Sequence, residues 1–130
     1  MEDAWDMPYR QAALEVMRIF KREWTLAVLA TLALGEVRHK DLLAEINAVE
    51  ERIGWSSHEK PLSARVLNYT LEGAVENGLI ERRAESGNFG AVWYQLTPVG
   101  RSLLRATRPL AEWAQQNRQE LRNHRPSNDD

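Results

Sequence analysis

The stretch from Leu62 to Arg83 reads LSARVLNYTLEGAVENGLIERR, and it predicts a helix, a turn and a strand in that order. Ser63 is a favourable residue to begin the helix, because its hydroxyl can accept a hydrogen bond from the unpaired amides of the first turn. Leu62 and Leu67 can pack against each other across that start. The dipeptide Asn77-Gly78 predicts a left-handed end to the helix. We therefore expect a helix with a defined start and a defined end.

The predicted helix has one buried side and one polar side. Apolar residues recur at helical spacing and should form a narrow buried stripe, which consists of Leu67, Leu71, Ala74 and Val75. The residues between them should point into solvent, and they are Arg65, Asn68, Tyr69 and Glu72. Gly73 lies inside the helix, where glycine costs about 0.5–1 kcal/mol relative to alanine. We expect it to weaken this part of the helix.

A hairpin is predicted directly after the helix. Leu79 and Ile80 begin a strand that becomes basic at Arg82-Arg83, and positions 91–95 (AVWYQ) return as a second strand. Between them, positions 85–90 (ESGNFG) are rich in turn residues. A recognition helix, here called the reading helix because it reads base edges in DNA, followed by a hairpin is typical of a winged helix that binds DNA. An ordinary helix and hairpin with a solvated polar face explains this segment alone equally well.

Further helices are predicted on the N-terminal side of this segment. The first covers positions 9–20, and the second covers 24–34. The second is apolar around nearly its whole circumference, so other elements should surround it. Val37-Arg38 can add a short third strand to the hairpin. The next helix begins at 41 and continues to about 49.

Positions 47–61 are harder to interpret, because a helix-turn-helix usually joins its helices by about 3–4 residues. Either the preceding helix extends through Ile53 or a loop is inserted. We prefer an extended helix that ends at Gly54, followed by a loop that lifts Trp55. Trp55 could cap a pocket or touch DNA, although packing on the neighbouring helix explains it better.

The last predicted helix covers positions 98–122. Thr97 should be its N-cap and Pro98 its first residue, and Pro109 should kink it. Its apolar stripe consists of Val99, Leu103, Ala106, Leu110, Trp113, Ala114 and Leu121.

Composition predicts a single soluble domain. The chain has 130 residues, enough for one core and too few for two, and no cysteine, which excludes disulfides and thiolate metal sites. Positions 1–6 have no apolar segment typical of a signal peptide. The uncharged run 24–35 is shorter than the roughly 20 apolar residues that a membrane helix needs. We expect a cytoplasmic protein with no membrane partner.

The formal net charge of −2 is unfavourable for a DNA-binding protein. Five of the acidic residues lie in the terminal tails, and without these five charges the rest of the chain sums to +3. A basic face matters more for phosphate binding than the total charge. Composition therefore permits DNA binding without indicating it.

Five short segments carry a resemblance to a known family. They are KREWTL at 21–26, GEVRHKDL at 35–42, LSARVL at 62–67, GLIER at 78–82 and WYQLTPVG at 93–100. In this order they resemble the HxlR family of winged helix-turn-helix transcriptional regulators, which is related to the MarR group. The resemblance extends from about position 12 to 113.

The resemblance implies a mainly α fold with a small β-hairpin wing, whose terminal helices form a dimer interface. We expect an N-terminal tail at 1–8, a winged helix-turn-helix domain at 9–122 and a C-terminal tail at 123–130. Within the domain, the helix-turn-helix should cover about 41–77, the wing about 79–95 and the C-terminal helix 98–122.

Candidate DNA-binding residues follow from the reading helix and the wing. Arg65 is the first candidate for a base contact, because arginine can donate two hydrogen bonds to guanine. Asn68 could read adenine, and Tyr69 could touch phosphate or a thymine methyl. The other candidates are Ser63 and Ala64 at the helix start, Arg82, Arg83 and Asn88 in the wing, and Lys40 as a phosphate contact. Alternatively these residues are merely exposed. We interpret Arg38 as structural.

The resemblance also implies a homodimer formed by the first and last helices. The candidate interface residues are Tyr9, Ala13, Val16, Leu103, Leu110 and Trp113. Alternatively these residues pack only on their own core.

The sequence departs from the family pattern at several positions. The family often has a cysteine near the N-terminus that senses oxidants or aldehydes in some members, and this chain has none. His39 stands where phenylalanine is usual, and Thr70 stands where arginine is common. Thiol sensing is therefore not expected, and the operator sequence is not predicted.

No pattern indicates an enzyme, a cofactor or a metal site, because the three histidines are scattered and no phosphate loop or nucleophile–base pair is recognisable. We predict a non-enzymatic, sequence-specific regulator that binds double-stranded DNA, with repression favoured over activation. One alternative is a winged helix that binds protein. Another is a ligand-responsive regulator with a small-molecule effector pocket at the dimer interface.

Overall fold

The computed structural model describes residues 7–54, 58, 60–87 and 90–123. The elements in these ranges are α1 (Met7–Ile19), α2 (Thr25–Leu32), β1 (Val37–Arg38), α3 (His39–Arg52), α4 (Ala64–Glu76), β2 (Ile80–Ala84), β3 (Val92–Leu96), α5 (Pro98–Gln116) and α6 (Arg118–Asn123). The predicted winged-helix fold, mainly α with a small β-hairpin wing, is confirmed. The predictions for Trp55, Asn88 and most of both tails lie outside the described residues.

The three strands form one antiparallel sheet in the order β1-β3-β2. Tyr94 of β3 pairs with Val37 on one side and Arg82 on the other. The prediction that Val37-Arg38 adds a third strand to the hairpin is therefore confirmed. Because β1 leads directly into α3, the sheet joins the wing to the start of that helix.

The core is built around α2 and α4. Val28, Leu29 and Leu32 of α2 are fully buried, and they pack with Leu67 and Leu71 of α4. As predicted, other elements surround α2: it packs against α3, α4, α5 and β3. The cover is incomplete, since Leu26 is 47% and Leu34 98% exposed. The helix ends at Leu32, so Leu34 lies in the turn that follows. One side of α2 is left open to solvent.

The segment between α3 and α4 has the predicted extended helix. α3 continues to Arg52, and Gly54 has a φ of 69°, a left-handed conformation that favours glycine. Asn47 then connects α3 to the start of α4. Its side chain donates to the Leu62 carbonyl at 3.0 Å and accepts from the Leu62 amide at 2.9 Å. This pair of bonds fixes where α4 begins.

α4 has the predicted caps and a wider buried stripe than predicted. The Ser63 hydroxyl accepts from the Val66 amide at 3.2 Å, and Gly78 ends the helix with a φ of 73°. Val75 was wrongly placed in the stripe, since it is 39% exposed. Thr70 and Gly73 are buried instead. The Thr70 hydroxyl donates to the Val66 carbonyl at 2.8 Å, which satisfies its polar group inside the core.

Hydrogen bonds connect the start of α5 to the residues that follow α4. The Thr97 hydroxyl accepts from the Gly100 amide at 3.0 Å and donates to the Gly78 carbonyl at 2.6 Å. The Thr97 amide also donates to the Leu79 carbonyl at 3.0 Å. The predicted N-cap is therefore confirmed, and it connects α5 to the base of the wing.

The predicted helix 98–122 is two helices. α5 includes Pro109 and ends at Gln116, and α6 begins at Arg118. At the break, both the backbone amide and the side-chain amide of Asn117 donate to the Trp113 carbonyl. None of the helices among the described residues is sufficiently long and apolar for a transmembrane span.

Candidate nucleic-acid interface

The outer face of α4 is polar and exposed. Arg65, Asn68, Tyr69 and Glu72 are all exposed, as predicted from their spacing. Ala64 is exposed at the first turn, while the Ser63 hydroxyl is occupied as the helix cap. The candidate residues of this helix therefore form one continuous outer face.

His39 supports this face from the neighbouring helix. His39 Nε2 donates to Asn68 Oδ1 over 2.8 Å, and the His39 ring lies 5.9 Å from that of Tyr94. The bond orients the Asn68 amide and occupies part of the acceptor capacity of its oxygen. His39, a departure from the family pattern, thus holds a candidate base-reading residue in place. Lys40 follows it and is exposed.

The two wing arginines have different surroundings. Arg83 Nε and Nη2 donate to one carboxylate oxygen of Glu36 at 3.0 and 2.9 Å, and Nη1 lies 3.8 Å from Glu85. Much of the charge of Arg83 is therefore balanced within the wing. Arg82 is exposed and lines a cleft of about 410 Å³ between α4 and the wing, which it shares with Asn68 and Glu72. Of the two, Arg82 is better placed to meet a phosphate.

Trp93 organises the wing rather than the reading face. Its indole nitrogen donates to Glu85 at 2.8 Å. The guanidinium groups of Arg38 and Arg83 lie 5.7 and 5.6 Å from its ring centroid. Arg38 Nε is buried without a hydrogen-bond partner among the described residues.

One residue on this face was missed in the sequence. Arg22, interpreted only as part of a polar break between helices, donates from Nη1 to the Tyr69 carbonyl at 2.6 Å. Its guanidinium also lies 3.8 Å from the centroid of the Tyr69 ring. In the sequence, only Gly73 indicated that another group contacts α4 here, since a glycine inside a helix can mark such a close approach.

A largely buried pair, Glu50 and His58, lies on the other side of α3. Glu50 is 4% exposed and hydrogen-bonds to His58 Nδ1, while His58 Nε2 lies 3.0 Å from the Glu23 carbonyl. The His58 ring stacks on Trp24 with centroids 3.6 Å apart. Burial alone would lower the pKa of His58, but the acceptors Glu23 and Glu50 outweigh it, so that the pKa is raised above 6.5. Both ring nitrogens can donate only in the protonated imidazole.

We expect His58→Gln to reveal a pH-dependent contribution to stability. The pKa of His58 is raised in the folded protein, so protonation of His58 stabilises the fold. This stabilisation is fully present below about pH 6.5 and is lost as the pH rises through the folded-state pKa. The difference in free energy of unfolding between wild type and His58→Gln should therefore shrink from pH 5.5 to pH 8.5, as measured by urea denaturation.

Glu50→Gln is the matched variant for that measurement. It removes the carboxylate that faces His58, so the pH-dependent part of the stability should fall in this variant as well. A difference between wild type and His58→Gln that stays constant over this pH range would contradict the ionised pair.

No group of three or more histidine, cysteine or acidic residues in the described part of the chain is arranged to hold a metal ion. Most of the exposed polar side chains described above lie on α4 and the adjacent wing. A family model described as HxlR-like helix-turn-helix matches residues 19–122, which is most of the chain. The chain belongs to the HxlR-like helix-turn-helix family. The resemblance inferred from the five short segments is confirmed, and the protein is a transcriptional regulator of the helix-turn-helix class.

Solved structures share the fold of this HxlR-like protein. A protein named as a MarR-family transcriptional regulator from Enterococcus faecalis V583 is 21% identical with a TM-score of 0.69, covering 88% of this chain and 92% of its own. The reduced form of YodB from B. subtilis is 23% identical with a TM-score of 0.59, covering 85% and 93%. BigR, a transcriptional repressor from Xylella fastidiosa, is 20% identical with a TM-score of 0.53, covering 85% and 92%. At these identities the likeness establishes the fold alone. The sequence matches none of the curated proteins significantly.

Proposed function

We propose that this HxlR-like protein is a non-enzymatic regulator that binds specific sequences of double-stranded DNA as a homodimer in the cytoplasm. The observation that carries the proposal is the outer face of α4, where Arg65, Asn68 and Tyr69 are exposed beside a wing with an exposed Arg82. Polar side chains on an uncovered helix can reach the base edges in a major groove.

Each element of the interface has a proposed role. α4 enters the major groove, where Arg65 reads guanine and the amide of Asn68 reads adenine. Lys40 and Arg82 contact phosphates, which position the protein without reading sequence. Arg83, paired with Glu36, stabilises the wing and contributes less to binding. Asn88 remains a proposed wing contact, outside the described residues.

The exposed apolar surface of the terminal helices supports the dimer. α1 has no buried residue, and Tyr9, Leu110 and Trp113 are 58%, 59% and 54% exposed. Contiguous exposed apolar patches mark interaction sites, so these side chains are candidates for an interface. Ala13 and Val16 are half-buried and remain interface candidates, whereas Leu103 packs against the core of its own chain. Two reading helices in one dimer would contact half-sites about one helical turn apart.

Repression is the favoured outcome, because a dimer seated across two major grooves would exclude polymerase from the same DNA. Retention of genomic fragments by the purified protein, followed by sequencing, tests the DNA-binding proposal. We expect fragments that share a two-fold symmetric motif, with an affinity that falls steeply as salt rises. A flat dependence on salt, or retention of a protein partner in high salt with no DNA fragment, would favour the protein-binding alternative.

We expect Arg65→Ala to weaken operator binding by about 1–3 kcal/mol and to relax the preference at one base pair. The physical reason is the loss of a bidentate donor to a base edge. The measurement is a competition assay with operators substituted one base pair at a time. Arg52→Ala, which removes an exposed arginine at the end of α3, is the control for charge. An equal loss on every sequence would make Arg65 a phosphate contact.

A ligand-responsive regulator is the second candidate, and one cavity favours it, although α1 and α5, the helices of the proposed dimer interface, do not line this cavity. The cavity has a volume of about 1150 Å³ and lies between α2 and α3, with Leu26, Leu34, Val49 and Ile53 among its lining residues. Its lining is mainly apolar, as in small-molecule sites, and its volume is slightly above the roughly 300–1,000 Å³ usual for such sites. A thermal-shift screen of apolar small molecules tests this, and a ligand that raises the midpoint and releases operator DNA would support it.

A further inference from the structure

We propose that Arg22, in the turn between α1 and α2, is a positioning residue that fixes Tyr69 on the DNA-reading helix. This inference rests on the DNA-binding function proposed above. Arg22 and Tyr69 are 47 positions apart in the chain, so only the tertiary fold brings them together.

Arg22 holds Tyr69 at two points. Its Nη1 donates to the Tyr69 backbone carbonyl at 2.6 Å, and its guanidinium carbon lies 3.8 Å from the centroid of the Tyr69 ring. The backbone of Arg22 is itself fixed, because its carbonyl accepts from the Thr25 amide at 3.2 Å at the start of α2. The ring of Tyr69 is therefore stacked on a cation that is anchored to a separate helix.

Gly73 makes this arrangement possible. A Cβ at position 73 would lie 1.9 Å from Arg22 Nη1 and 2.6 Å from its guanidinium carbon, so an alanine here would require the guanidinium to move. The glycine that should weaken α4 by its local preference is therefore the residue that lets Arg22 lie across the helix. Any larger residue at this position would have to displace the guanidinium.

Arg22 acts on binding through Tyr69. The Tyr69 ring is 58% exposed, and an unsupported exposed ring would exchange between rotamers. Ordering such a side chain at the moment of binding opposes association, and an orientation fixed in advance removes part of that cost. Arg22 is only half-exposed, and one of its donors is already used by the Tyr69 carbonyl. It is thus suited to hold the tyrosine rather than to bind a phosphate.

The test is a double-mutant cycle on operator binding with Arg22→Ala, Tyr69→Ala and the double variant. Arg22→Ala should weaken binding about 3- to 10-fold, the cost of ordering one side chain. The double variant should bind no more weakly than Tyr69→Ala alone, and the salt dependence of Arg22→Ala should equal that of wild type. Arg22→Lys should not restore affinity, because lysine lacks the planar guanidinium that stacks on the ring.

Two results would overturn the proposal. In the first result, the affinity losses of Arg22→Ala and Tyr69→Ala are additive, and the salt dependence of Arg22→Ala falls by about one phosphate contact. Arg22 would then be a DNA ligand in its own right. Wild-type affinity of the Arg22→Ala variant would show that the contact has no part in binding. Gly73→Ala provides an independent variant, since expelling Arg22 should reproduce the affinity of Arg22→Ala without removing the arginine.

A second cycle, measured without DNA, separates this proposal from the function on which it rests. Arg22 and Tyr69 should show coupled effects on the urea midpoint of the free protein. Coupling in a protein that retains no DNA would overturn the proposed function and leave the Arg22–Tyr69 contact established. Independent effects in a protein that does bind DNA would overturn the positioning role alone.

Discussion

Replacing Gly100 with alanine is expected to destabilise the protein by about 1–3 kcal/mol or more, the range for overpacking a tight contact. A Cβ at this position would lie 1.9 Å from the Leu79 carbonyl oxygen and 2.9 Å from its carbon. Both are backbone atoms, and the same carbonyl accepts from the Thr97 amide. The helix therefore cannot move away without breaking the junction between α5 and the wing. We expect this loss of stability even though alanine has a higher helix propensity than glycine.

Urea denaturation gives the free energy of unfolding for this comparison, with Ser102→Ala as the control. Ser102 is exposed on the same helix, two positions further on, and its replacement should change stability by no more than about 0.5 kcal/mol. An unfolding midpoint for Gly100→Ala equal to that of wild type would show that α5 and Leu79 are not in close contact in solution.

Replacing both Leu110 and Trp113 with glutamate is expected to give a monomer with operator affinity at least about a hundred-fold below that of wild type. The two side chains are exposed in the single chain, so their replacement should spare its core. Burying two carboxylates in an apolar interface without partners is strongly unfavourable. A monomer would also lose the gain from two linked reading helices, which is about 10²–10⁴-fold in affinity.

Light scattering reports the mass of the double variant, and a fluorescence titration reports its affinity for the operator. Gln115→Glu is the control, because it adds a carboxylate at an exposed position of α5 away from the apolar stripe. A wild-type protein that is already monomeric at micromolar concentration, or a double variant that remains a dimer, would contradict the proposed interface.

Local patterns were sufficient for most of the elements. The caps of α4 and α5 were predictable because Ser63, Gly78 and Thr97 act on the backbone of their own segments. The break at Asn117 was not predicted, since a helical stripe of apolar residues continues past it. The exposure of Leu26 and Leu34 was also missed, because periodicity does not show which side of a helix another element covers.

The candidate interface was predicted as a set of exposed residues, but not as a network. The spacing of Arg65, Asn68 and Tyr69 placed them on one face, and the structure agrees. The partners of the candidate residues come from elsewhere in the chain: His39 hydrogen-bonds to Asn68 of α4, and Glu36 hydrogen-bonds to Arg83 of the wing. Pairing of this kind depends on the packing of separate elements, which the spacing within one helix does not contain.

The sequence by itself determined the winged-helix order, the limits of the reading helix and its polar face, because capping and periodicity act over a few neighbouring residues. Only the tertiary structure decided that Arg22 lies on Tyr69 through the space at Gly73, and that Glu50 and His58 are buried together. Those contacts join residues that are distant in the chain or sit in the irregular segment before α4. Their geometry arises only when α2, α3 and α4 pack against one another.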